Sequence, residues 1–164
     1  MKTGIGSDKK KVFTLLRGGS ASLKDCYLLR FDGGAVPNPG KCGAGAVIWA
    51  PDGTKLWEVG RYIEYGTNNL AEYTGLEIGL AVCLREGYVN LKIEGDSNLV
   101  INQILGQWQV KSEGLQQNHK KVMDMLSRLN YVVVRHVYRE FNVDADALTN
   151  ELQATRFGFE RRLA

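Results

Sequence analysis

The segment Cys26–Phe31 is a near-continuous apolar run that stops at Asp32-Gly33-Gly34, and its place in the chain narrows the folds available. Such a run reads as a strand buried on both faces. The loop AVPNPGKCG is rich in turn residues. GAVIWA and TKLWEVGRYI then read as two more strands, with Pro51-Asp52-Gly53 as the hairpin between them. A long helix is expected from about Asn69 to Arg85, a fourth strand at VNLKIEG and a short helix at SNLVINQILG. Leu115–Leu129 reads as a second long helix, with Val122, Met125, Leu126 and Leu129 on one face. YVVVRHV is a fifth strand, and a last helix runs from Val143 to about Leu152. Three hairpin-linked strands followed by two that need helical crossovers imply an α/β fold. Its sheet is mixed and five-stranded, three strands antiparallel and then two parallel, with helices on both faces.

The 164 residues suit one domain with a proper core. We place that domain at 26–153, after a flexible basic leader at 1–25 and before a short tail at 154–164. Apolar content of 44% and charged content of 24% argue against disordered and fibrous classes. No apolar run approaches the ~20 residues of a membrane span, so no membrane partner is expected. Cys26, Cys42 and Cys83 are odd in number, widely spaced and set in apolar stretches. That pattern fits neither a zinc site nor a disulfide framework, and an intracellular, reducing location is expected. A net charge of +3 is weak evidence for a nucleic-acid partner.

Four acids carry the chemistry. Asp32 ends the expected central strand, where open α/β sheets place their ligands. Glu72 can be explained as half of a capping box with Asn69 at the N-cap. It also shares the stripe of Leu76 and Gly79 that turns toward the sheet, where an unpaired carboxylate is costly. Asp96 follows the fourth strand and is a fair N-cap for the next helix. Glu94 is a rival acid, but it lies within the strand. Asp146 flanks the apolar stripe Ala145, Leu148 and Leu152, with Asp144 as a competitor. Four carboxylates aimed at one point repel each other unless strongly positive groups sit among them. A pair of divalent ions of the kind that cuts phosphodiesters answers that need.

These segments resemble ribonuclease H of type 1 over about Tyr27 to Leu152. DGGAVPNPGKCGAGAV resembles the family's opening, TNNLAEYTGLEIGL its first helix, EGDSNLVINQI its third motif and RHVYREFNVDADALTN its last. The resemblance selects Asp146 over Asp144, because the family's last acid precedes a pair like Ala147-Leu148. It implies cleavage of the RNA strand of an RNA–DNA hybrid with two Mg²⁺ ions (Mn²⁺ as an alternative) and Asp32, Glu72, Asp96 and Asp146 as ligands. In-line attack would leave 5′-phosphate and 3′-hydroxyl ends. Gly33, Gly34, Asn38, Thr67, Asn68, Asn69 and Asn98 match substrate-binding positions. The asparagines would read the minor groove and 2′-hydroxyls, and Thr67 would grip a DNA-strand phosphate. The HVYRE segment is similar to the plant, archaeal and reverse-transcriptase-like branch. There an arginine assists proton transfer and product release, which makes Arg139 the first candidate and His136 the second. A monomer is expected.

Overall fold

A computed structural model describes residues 13–19 and 21–164. The strands are β1 (Thr14–Arg17), β2 (Tyr27–Val36), β3 (Gly40–Trp49), β4 (Lys55–Gly66), β5 (Asn90–Gly95), β6 (Tyr131–His136) and β7 (Phe159–Arg162). The helices are α1 (Asn68–Glu86), α2 (Asn98–Ile104), α3 (Glu113–Ser127) and α4 (Val143–Thr155). One sheet holds all the strands in the order β1-β6-β5-β2-β3-β4-β7. β2, β3 and β4 form an antiparallel meander, while β5 and β6 add to β2 in parallel. This is the α/β architecture expected from the strand and helix order.

The sheet has seven strands rather than five. Thr14–Arg17 pairs antiparallel with β6, and Phe159–Arg162 pairs antiparallel with β4. Each is four residues long, too short to show a period, and their sequences lie in what reads as leader and tail. Their physical role is clear from position. Without them the outer N–H and C=O groups of β6 and β4 would be open edges. The leader's first twelve residues lie outside the described residues.

α1 is buried nearly all round because it is covered on nearly all sides. Its buried residues run from Ala71 to Leu80 without a break, and Val82 and Cys83 follow. It lies on β2 and β3, and α3 packs beside it through Val122, Met125 and Leu126. The crossing is close enough to exclude side chains. A Cβ on Gly33 would stand 2.2 Å from the Ala71 backbone, and one on Gly75 would stand 2.5 Å from the Asp32 carbonyl oxygen. α4 covers the opposite face, setting Ala145 and Leu148 against Val47. Among the described residues no helix is long and apolar enough to cross a membrane.

Asp32 does not end its strand. β2 continues to Val36, paired with β3 down to Lys41. β5 stops earlier, at the Gly95–Phe31 pair. Asp32 therefore sits one residue past the point where its parallel neighbour ends, and that missing neighbour opens the cleft.

Candidate active site

Each acid reaches this cleft from a different element. Asp32 projects from β2 and is 6% exposed. Glu72 lies near the start of α1, Asp96 directly after β5, and Asp146 in the first turn of α4. Asp32, Glu72 and Asp96 each offer a carboxylate oxygen, and the three atoms lie within 4.8 Å of one another. Asp146 borders the same cleft with Gly33, Gly34, Asn68, Arg139, Thr149, Asn150 and Gln153. All four acids converge, Asp146 from the rim. Asp144, two residues earlier on the same helix, is paired instead with Lys55 at 3.5 Å.

Two capping roles open to these acids belong to other residues. Thr67 is the N-cap of α1, accepting from the Leu70 N–H at 3.1 Å, so the alternative Asn69–Glu72 capping box is not formed. Ser97 caps α2, accepting from the Val100 N–H at 3.2 Å, which frees the Asp96 side chain.

The electrostatic cost is visible in the protonation behaviour. Burial first, then the charge of Asp96 and the contact with Asp146, push Asp32 from 3.8 up to about 8. Burial, followed by the charges of Asp32 and Asp96, raises Glu72 well above the usual carboxylate range. Glu72 Oε1 is buried without a hydrogen-bond partner among the described residues. A buried, unsatisfied carboxylate oxygen beside two more acids is expensive. A hard divalent cation removes that cost, because carboxylate oxygens are its natural ligands. The donor set fits a divalent metal site.

The remaining candidates divide by position. Asn68 Oδ1 accepts from the Ala35 N–H at 2.7 Å, and Asn38 Oδ1 accepts from the Asn68 N–H at 3.1 Å, tying the β2–β3 loop to the start of α1. Asn38, Thr67, Asn68 and Asn69 line an adjoining groove with Ser112 and Gly114. Asn98 opens α2 and is exposed. Arg139 is 81% exposed, with Nη2 3.6 Å from Asp146 Oδ1. His136 Nε2 lies 3.1 Å from the Asp96 carbonyl oxygen. That contact holds backbone, whereas Arg139 stands over the cleft.

Asn142 escapes the sequence reading. It is fully buried. Its Nδ2 donates to the Phe31 carbonyl at 2.8 Å and to Asp96 Oδ2 at 3.3 Å, and its carbonyl accepts from the Asp146 N–H at 3.1 Å. One residue thus joins the elements that bear three of the acids. Its place four residues before Asp146, at the N-cap of α4, was the available signal. Thr149 donates to Asp32 Oδ2 at 3.3 Å and Gln153 to the Gly34 carbonyl at 3.2 Å, on the helix face that Asp146 shares. Asn142→Ala is expected to cost about 2–3 kcal/mol, as buried acceptors lose their donor. Urea melts measure that loss, and an unchanged midpoint would contradict the bridging role.

A family model described as "Reverse transcriptase-like" matches residues 30–152. The ribonuclease HI of Halobacterium salinarum is 35% identical over 121 residues, covering 74% of this chain and 61% of that protein. A crystal structure of RNase H1 from the same archaeon superposes with a TM-score of 0.76 at 33% identity, over 78% of this chain and 97% of that one. The chain belongs to the ribonuclease H type 1 family. A second ribonuclease H relative is the bifunctional protein Rv2228c of Mycobacterium tuberculosis, 36% identical over 76% of this chain. The chain spans about a third (34%) of that protein's length. A third is LC11-RNase H1, solved in complex with an RNA/DNA hybrid, with 34% identity, a TM-score of 0.72 and coverage of 76% of this chain and 94% of that one. The sheet therefore has a ribonuclease H fold, and β1 and β7 lie outside the residues that the family model matches.

Proposed function

We propose that this chain is a metal-dependent endonuclease that hydrolyses the RNA strand of RNA–DNA hybrids, leaving 5′-phosphate and 3′-hydroxyl ends. The observation that carries the proposal is the meeting of Asp32, Glu72 and Asp96 within 4.8 Å, with a buried Glu72 oxygen left unsatisfied. Asp32, Glu72, Asp96 and Asp146 would hold two divalent ions, Mg²⁺ or Mn²⁺. Such ions supply an acidified water and charge neutralisation at the scissile phosphate. The protein's own groups do the rest. Asn142 and Thr149 orient Asp96 and Asp32. Gly34 lines the cleft without a side chain, so a backbone can approach. Asn38, Asn68 and Asn69 can donate and accept at once, which suits 2′-hydroxyls and base edges without demanding a sequence. Thr67 and Ser112 lie where a phosphate of the other strand would pass. Arg139, exposed on a long stem, is placed to assist proton movement or product release. All four acids come from one chain, so a monomer suffices.

The test uses end-labelled RNA presented as hybrid, as RNA duplex and as single strand, with magnesium and with chelator. Internal cuts confined to the hybrid and dependent on metal are expected. Cleavage that survives chelation, or that ignores the DNA strand, would overturn the assignment. Cleavage should also fall with rising salt, since the grip on phosphates is electrostatic.

A further inference from the structure

Glu94 lies two residues before Asp96 and takes no part in the cleft. Its side chain is 1% exposed, and the strand register sets it opposite Arg30 on β2 and Arg135 on β6. Glu94 Oε1 accepts from Arg30 Nε at 2.7 Å. Its Oε2 accepts from Arg135 Nε at 2.8 Å and also from Arg135 Nη2. The arginines are held on their outer sides as well, Arg30 at 5.4 Å from the Trp49 ring centroid and Arg135 at 4.3 Å from that of Phe13. A row of five side chains thus crosses the sheet from Phe13, just ahead of β1, to Trp49 on β3.

Its location gives it a use. Arg30 precedes Asp32 by two residues, Glu94 precedes Asp96 by two, and Arg135 adjoins His136, whose ring holds the Asp96 carbonyl. Residues two apart on a strand share a face. The β2–β5 ladder ends at the Gly95–Phe31 pair, so Asp32 and Asp96 both lie beyond its last rung. The carboxylates there push the strand ends apart, and the Arg30–Glu94 pair sits one rung inside. A buried ion network contributes little to stability compared with apolar groups of similar volume, but it can fix registry. The guanidinium's planar fork makes that fixing directional.

We propose that the Arg30–Glu94–Arg135 row positions Asp32 and Asp96 by bracing β2, β5 and β6, and so sets the affinity of the site for divalent cations. This rests on the proposed metal-dependent function. None of the three side chains touches substrate or metal; they are positioning residues.

Calorimetric titration with Mg²⁺ tests it, together with thermal melts and the Mg²⁺ dependence of hybrid cleavage. Glu94→Gln should raise the Mg²⁺ dissociation constant about tenfold, the low end of what groups that orient metal ligands contribute. The midpoint of the cleavage dependence should shift with it, while the rate at saturating Mg²⁺ stays close to wild type. Arg30→Gln breaks one arm and should shift the affinity in the same direction, and Arg30→Lys, which keeps the charge without the planar fork, should recover only part of it. Val122→Ala, in the core between α3 and α1, should lower stability with no change in affinity. If Glu94→Gln fails to fold, the Arg30→Gln and Arg30→Lys pair decides. Variants that melt earlier yet bind Mg²⁺ like wild type would overturn the proposal and leave the row a structural staple. A wild-type chain that binds neither Mg²⁺ nor Mn²⁺ would instead overturn the proposed function itself.

Discussion

Asp96→Asn is expected to abolish cleavage of an RNA–DNA hybrid while leaving hybrid binding nearly intact. The amide keeps the shape of the side chain and can still meet Asn142, but it cannot neutralise a cation. Losing a group that stabilises charge in the transition state costs roughly 10²–10³-fold in rate, and losing a metal ligand costs at least as much. Under the proposed function hybrid affinity would rest instead on the asparagines, Thr67 and the backbone of Gly33 and Gly34, so gel-shift binding should change little. Asp32→Asn should behave in the same way, with one addition. Asp32 is buried among like charges, so the amide should stabilise the metal-free protein at pH 8. The gain should reach several kcal/mol, at ~1.4 kcal/mol for each tenfold change in proton affinity. A variant that is inactive and also more stable than its parent identifies an acid kept for chemistry at the expense of the fold. Loss of activity together with unfolding would mark these residues as structural.

The second large effect is a dependence of stability on pH that magnesium reverses. In the metal-free protein Asp32 titrates at about 8 instead of its ordinary 3.8, and Glu72 is displaced in the same direction. In the unfolded chain both return to ordinary values. Between about pH 4 and pH 8 the unfolded chain therefore gives up protons that the folded chain keeps. By linkage, this contribution to stability is complete below about pH 4 and is lost as pH rises through about 8. The difference in melting temperature between wild type and Asp32→Asn isolates it from the other carboxylates. That difference should be near zero at pH 4 and should grow toward pH 8. Millimolar Mg²⁺ should raise the wild-type melting temperature at pH 8 much more than at pH 5, because the cation binds the ionised carboxylates. A difference that is flat with pH and indifferent to Mg²⁺ would mean that these acids do not crowd one another.

Where sequence reading succeeded, period and chemistry agreed. The stripe Ala145, Leu148 and Leu152 orients α4 and brings Asp146 to the cleft, and the five expected strands pair in the expected antiparallel and parallel senses. Where it failed, tertiary contact overrode a local preference. Gly33-Gly34 reads as a turn because glycine usually marks one, yet here it lies inside a strand. Gly33 is needed where α1 presses on β2, a contact that no local window contains. Asn69 and Glu72 have the spacing of a capping box, but the helix is capped earlier, at Thr67, so Glu72 turns inward. β1 and β7 exist only because β6 and β4 offer edges to pair with. Asn142 shows its value only when Phe31 and Asp96, distant in sequence, arrive beside it.

The central claim is that separated acids gather to hold divalent cations, and calorimetric titration of the wild-type chain and of Asp32→Asn with Mg²⁺ addresses it most directly. Saturable binding by the wild type that disappears in the variant is the predicted result. Indistinguishable heats from the two proteins, or none from the wild type, would contradict it.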